Sequence, residues 1–165
     1  MTQTATPTRA PVNAADVRWL TPAQQTHWRA YRDGTALLMD VLARELDEDT
    51  ALSLAEYEVL VRLSEAPGRT LRMSELAGEL AHSRSRLTHT IRRMEEAGLV
   101  QRNPCALDAR GVNCTMTDLG LQRIVEAAPS HVNAVRTHLI DVLTDDQLRA
   151  LGTAMGIVAH ALRES

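Results

Sequence analysis

Between Ser83 and Glu96 the chain reads Ser-Arg-Ser-Arg-Leu-Thr-His-Thr-Ile-Arg-Arg-Met-Glu-Glu, a stretch rich in hydrogen-bond donors. All 18 cationic residues of the protein are arginines, so every cationic contact it makes uses a planar guanidinium. That group matches the paired acceptors of guanine or of a phosphate better than an ammonium does. On a helical wheel with Leu87 at zero, Ile91 and Met94 fall within about 40° and form a narrow apolar stripe. Ser85, His89, Arg92 and Arg93 lie on the far side, with Arg86 at its edge. Such a helix can pack by its stripe and present donors to a major groove. A solvated surface helix is the plainer reading, and Glu95 and Glu96 in the last turn fit it, since phosphate would repel them. A second cationic position, Arg110, lies two residues from Asp108 in a turn-rich stretch. A carboxylate at that spacing can hold a guanidinium in place for a narrow minor groove; an exposed ion pair is the alternative.

Other reactive residues are less ordered. Cys105 and Cys114 lie almost symmetrically about the same turn, so an extended hairpin is expected to bring them across from one another. A redox-responsive pair there would change the hairpin's shape, whereas two reduced thiols would be inert. The six histidines show no HExxH or CxxC-like spacing, although His131 and His138 share a helix face. No nucleophile elbow, phosphate-binding loop or dinucleotide fingerprint occurs. Neither an enzyme, a metal nor a cofactor is therefore expected.

The elements that must position these residues are legible in the caps. Composition argues for a mostly helical protein and against a sandwich or barrel: 22 Leu and 23 Ala are strong helix formers and must build the core of a 165-residue chain that has no phenylalanine and only Trp19, Trp28, Tyr31 and Tyr57 as aromatics. Residues 1–15 are Thr, Ala and Pro without an apolar period and read as a flexible tail. Thr21-Pro22-Ala23-Gln24 opens a helix running to about Asp47, with Tyr31, Leu38, Leu42 and Leu46 among its apolar positions. Ser53-Leu54-Ala55-Glu56 opens a second helix, which ends before Pro67-Gly68. A link over Arg69–Met73 leads to a short helix around Ser74–Leu80. Ser83 then caps the arginine-rich helix, which Gly98 stops. Leu99–Arg102 and Val112–Met116 read as two strands of a hairpin. Thr117 caps a helix that Pro129 is expected to kink or break. Thr144-Asp145-Asp146-Gln147 starts the last one, with Leu148, Leu151, Met155, Val158 and Leu162 on one side. Charge follows the same division. Residues 1–61 hold 5 Arg against 9 acids, 62–110 hold 9 against 6, and 111–165 hold 4 against 6. A basic centre is compatible with a net charge of −3 because salt screens distant charges.

Short helix, turn, helix and hairpin between long amphipathic helices is a winged helix between helical arms. From Ser53 to about Ile124 the sequence resembles the MarR family of dimeric winged-helix regulators, through MSELAGEL, SRSRLTHTIRRMEEAGLVQR and DARGVNCTMTDLG. The resemblance implies a two-fold dimer built by the terminal helices, with one recognition helix and one wing per lobe. It implies that Ser83 to Arg93, including Arg84 and Thr88, is the DNA-reading segment, that Arg110 enters the minor groove and that Asp108 supports it. Arg92 stands where the family often carries an acid, and Asn113 where an apolar residue is usual. Many such regulators bind small phenolic or anionic effectors in a cleft between arm and lobe. Trp28, Tyr31, Arg32, Tyr57 and His131 are the residues to inspect there, with core packing as the alternative for each.

The expected fold is mainly α with a small β-hairpin wing. Within a single domain over 16–165, the winged helix spans about 53–117, and dimerisation arms span about 20–48 and 118–163. The expected function is a homodimeric, cytoplasmic repressor that binds a pseudo-palindromic site in double-stranded DNA. No apolar run is long enough for a membrane span. The rival reading is a helical dimerisation module that kept the winged-helix shape and binds protein, or a cysteine-based redox-responsive regulator.

Overall fold

The computed structural model describes residues 13–80, 84–105 and 108–164, with side chains throughout except at 84 and 108–110. The element order is α1 (Pro22–Thr50), α2 (Leu54–Glu65), β1 (Thr70–Arg72), α3 (Met73–Glu79), α4 (Arg84–Glu96), β2 (Val100–Cys105), β3 (Asp108–Met116), α5 (Asp118–Val135) and α6 (Asp145–Arg163). Among the described residues no helix is long and apolar enough to cross a membrane.

The chain divides into two units inside α1. In the first, up to Ala36, Thr21 caps α1 by accepting from the Gln24 amide while Gln24 accepts from the Thr21 amide. The rings of Trp28 and Tyr31 lie 5.9 Å apart, and both side chains remain exposed. The second unit, from Leu37, holds the remaining elements and the hydrophobic core.

That core follows from the apolar stripes. Leu46 of α1, Val59, Leu60 and Leu63 of α2, Leu76 of α3, and Leu87, Ile91 and Met94 of α4 are almost fully buried. The expected capping boxes form at Ser53/Glu56 and Thr144/Gln147, and Thr117 accepts from the Gly120 amide. Gly98 ends α4 with a φ of +73°, and the Leu99 and Gly98 amides donate to the carbonyls of Met94 and Glu95. This is the paired bonding of a Schellman stop, which needs the left-handed conformation that glycine supplies.

Four expectations change. The stretch read as a link contains β1, which pairs antiparallel with β3 (Leu71 opposite Cys114), making a three-stranded sheet of order β1-β3-β2. Three residues are too few to show an alternation. Both wing strands are longer than their apolar pattern, because backbone pairing continues through Asn103 and Pro104 to the Gly111 side of the hairpin. Proline is tolerated there because β2 is a sheet edge. The cysteines are not opposite one another: the register pairs Cys114 with Arg102 and Cys105 with Asp108, with a bulge after Pro104. Finally, α5 runs unbroken through Pro129. Proline there removes only the amide that would bond the carbonyl of Val125, a residue 64 % exposed, so water can take that acceptor. The helix then widens into a π turn over Arg136–Ile140, closed by the Asp141 amide on the Arg136 carbonyl at 2.9 Å.

Candidate nucleic-acid interface

Helix α4 has the two faces its wheel predicts. Leu87, Ile91 and Met94 face the core, and Thr90 is also buried, its hydroxyl donating to the Arg86 carbonyl at 3.2 Å. Ser85, Arg86, Thr88, His89 and Arg92 are exposed on the outer side. Ser85, Thr88, His89 and Arg92 border one shallow depression, so the structure brings these four together. Ser83 and the side chains of Arg84, Asp108 and Arg110 lie outside the description, including the expected cap at Ser83 and the Asp108–Arg110 pair.

Arg93 sits differently. Its guanidinium turns toward α2 and donates to Glu56 Oε1 at 2.6 Å. Burial opposes the charge on Glu56, yet the hydrogen bonds from Arg93 and Ser53 outweigh it and hold the carboxyl below its ordinary pKa. The same carboxylate closes the α2 capping box, its Oε2 accepting from the Ser53 amide and hydroxyl. On the other flank of α4, Glu95 accepts from the Arg102 amide at 3.1 Å, from its Nε at 3.0 Å and from a terminal nitrogen at 2.6 Å. These bonds keep the Glu95 carboxyl ionised below its ordinary range. Arg92 pairs more loosely with Glu96, at 3.7 Å.

Sequence reasoning missed Glu56 and Arg102 and read Glu95 as a mark against DNA contact. A capping-box motif could flag Glu56 only as a local cap. Its second bond spans 37 residues and has no local signature.

A separate cavity of about 370 Å³ opens beside α2 and α5. Tyr57 and His131 line it with ring centroids 4.5 Å apart, and Met39, Leu42, Glu58, Arg62 and Glu79 complete much of the wall. Burial lowers the pKa of His131 despite the opposing charge of Glu58, so the ring is neutral near pH 7. Its Nδ1 is buried without a hydrogen-bond partner. Within the first unit, Trp28 packs on Tyr31, and Arg32 pairs with Asp33 at 2.7 Å. His138 bonds Glu45 at 2.8 Å, so it does not join His131. Among the described residues no three His, Cys, Asp or Glu side chains are grouped to hold a metal ion.

A short helix followed by a helix with a donor-rich outer face, then an antiparallel hairpin, defines a winged helix-turn-helix protein of the nucleic-acid-reading class. Comparison with known proteins narrows this. The sequence profile of the MarR family matches residues 52–112. The HTH-type transcriptional regulator PecS of Dickeya dadantii (strain 3937) is 31% identical over 120 residues, covering 70% of this chain and 72% of that protein. Two MarR family transcriptional regulators from Streptomyces coelicolor have similar structures. Sco3205, solved in complex with DNA, gives a TM-score of 0.84 at 43% identity over 89% of this chain and 92% of its own. AbsC gives 0.83 at 41% identity over 90% of this chain and 100% of its own. The chain belongs to the MarR family of transcriptional regulators, and its fold is the mainly helical winged helix that the sequence led us to expect.

Proposed function

We propose that the protein works as a homodimeric repressor that occludes promoter DNA at a pseudo-palindromic site. The observation that carries this reading is the outer face of α4, where Ser85, Arg86, Thr88, His89 and Arg92 are exposed opposite a stripe buried to the last atom of Ile91 and Met94. Arg86 and His89 read base edges in the major groove, while Ser85, Thr88 and Arg92, with Ser83 and Arg84, hold phosphates. Arg110, supported by Asp108, enters the flanking minor groove. We assign no catalytic step to any residue and place the site of action in the cytoplasm, where promoter DNA is met.

The division of labour follows the chain: a winged-helix lobe over about 53–117, and arms over about 20–48 and 118–163 that pair with a second copy. Two lobes related by a two-fold axis would set their recognition helices about one DNA turn, ~34 Å, apart. The cavity beside Tyr57 and His131 suits a small phenolic effector, since the two rings offer stacking beside the apolar side chains of Met39 and Leu42. Among its described lining residues Glu58 and Glu79 stand against Arg62, which makes it less hospitable to an anion. Such an effector acts by binding one arrangement of the dimer more tightly than the other.

A salt titration tests the reading. Binding to a duplex selected from a random library by the purified protein is expected to fall steeply with salt, with the log–log slope of several phosphate contacts. Absence of binding at low salt would overturn it in favour of a protein-interaction module.

A further inference from the structure

The last turn of α4 is tied down on both flanks. Arg93 and Glu95 are two residues apart and so point about 160° away from each other around the helix axis. One reaches back to Glu56 at the start of α2, the other forward to Arg102 on β2. Neither partner is a loose surface group. The Glu56 side chain is only 12 % exposed and is already held by the Ser53 amide and hydroxyl. Arg102 is bound through its amide as well as its guanidinium, and sits in register opposite the fully buried Cys114. A guanidinium committed at 2.6 Å to a fixed carboxylate is poorly available to a phosphate, and a carboxylate beside a polyanion would weaken binding unless it served another purpose.

We propose that Arg93 and Glu95 are positioning residues of the DNA interface. Their pairs with Glu56 and Arg102 fix the recognition helix against α2 on one flank and against the wing on the other, and so set how sharply the lobe discriminates between sites. Arg93, at the end of the segment that the family resemblance assigns to DNA reading, thus positions the helix instead of contacting DNA. The inference rests on the DNA-binding reading above. A helix must be held to within about 0.5 Å and 10–20° for a bidentate base contact to discriminate, whereas non-specific attraction tolerates misalignment. The Glu95–Arg102 bonds also couple the major-groove helix to the hairpin that carries Arg110.

The test compares wild type with Arg93→Ala, Glu56→Gln and Glu95→Gln on two duplexes, the library-selected one and a scrambled version of equal length, across a salt series. Melting followed by circular dichroism identifies the variants that remain folded. Glu56→Gln keeps an acceptor for the capping box and leaves α4 untouched, so it reads the same brace if Arg93→Ala does not fold. The expected result is a roughly tenfold fall in the selected-to-scrambled affinity ratio for each variant. Arg93→Ala should keep the wild-type salt slope, and Arg93→Lys should restore part of the ratio. A slope reduced by about one for Arg93→Ala would make Arg93 a phosphate contact and overturn its assignment. A parallel rise in affinity for both duplexes in Glu95→Gln, with the ratio unchanged, would reduce Glu95 to a repulsive charge and overturn its assignment. Wild-type protein binding neither duplex would instead overturn the DNA-binding reading itself.

Discussion

Cys114 lies at the centre of the wing sheet, paired with Leu71 on one side and Arg102 on the other, and its side chain is fully buried. Burial and the nearby Glu95 carboxylate push its thiol up to about 12, with Arg102 opposing. At pH 8 only about one molecule in ten thousand would then carry the thiolate at this position, the form that reacts. Native protein is expected to leave Cys114 unmodified by iodoacetamide at pH 8, as read by peptide mass spectrometry, and to lose that protection in urea. Rapid native alkylation of Cys114 would revive the cysteine-based sensor that the sheet register argues against. The same scale explains why the charged residues divided as they did. Arginines on the outer face of α4 could be read from a wheel, but the turn of Arg93 toward Glu56 depends on where α2 lies.

At the scale of elements, the joint at the root of the wing concentrates the packing. The Leu99 carbonyl accepts from the Thr117 amide at 3.0 Å and its hydroxyl at 3.1 Å, while the Gly98 carbonyl takes the same hydroxyl at 2.7 Å. The end of α4 is thereby bonded to the start of α5. Gly120 lets these segments meet: a Cβ there would lie 2.3 Å from the Leu99 oxygen and 2.9 Å from Met116 Cγ. Since the first atom is backbone, it cannot step aside without moving the joint. Gly120→Ala is expected to cost about 1–3 kcal/mol in urea unfolding, the range of overpacked cores; unchanged stability would show that the joint yields. The Thr and Gly after the wing were visible in the sequence as parts of a motif. Their reason was not, because the carbonyl they approach belongs to a residue near the other end of the hairpin.

For the whole molecule, the governing observation is what one chain leaves uncovered. Helix α6 has no buried residue, and Ile157 and Leu162 on it are 68 % and 72 % exposed. In the first unit Trp19 and Trp28 are likewise exposed. Apolar side chains in this number are expected to be covered by a second copy. Sedimentation at micromolar concentration is expected to give a dimer for the wild type and a folded, smaller species for Ile157→Glu with Leu162→Glu. A wild-type monomer would remove the paired recognition helices, and with them the pseudo-palindromic site.

What the sequence determined by itself are the features written in contacts between near neighbours. The capping boxes, the Gly98 stop and the buried stripe of α4 depend on residues a few positions apart, and the hairpin is marked by a turn-rich stretch between two short apolar runs, so local spacing suffices. That is why the winged-helix fold and its donor-rich face were legible before any coordinates. The tertiary structure decided what depends on distant partners: β1 as a third strand, the register that separates Cys105 from Cys114, the passage of α5 through Pro129, and the two braces on α4. A guanidinium or carboxylate reaches whichever opposite charge the fold brings within a few ångströms. For Arg93 that charge is 37 residues away, a distance along the chain that no local pattern records.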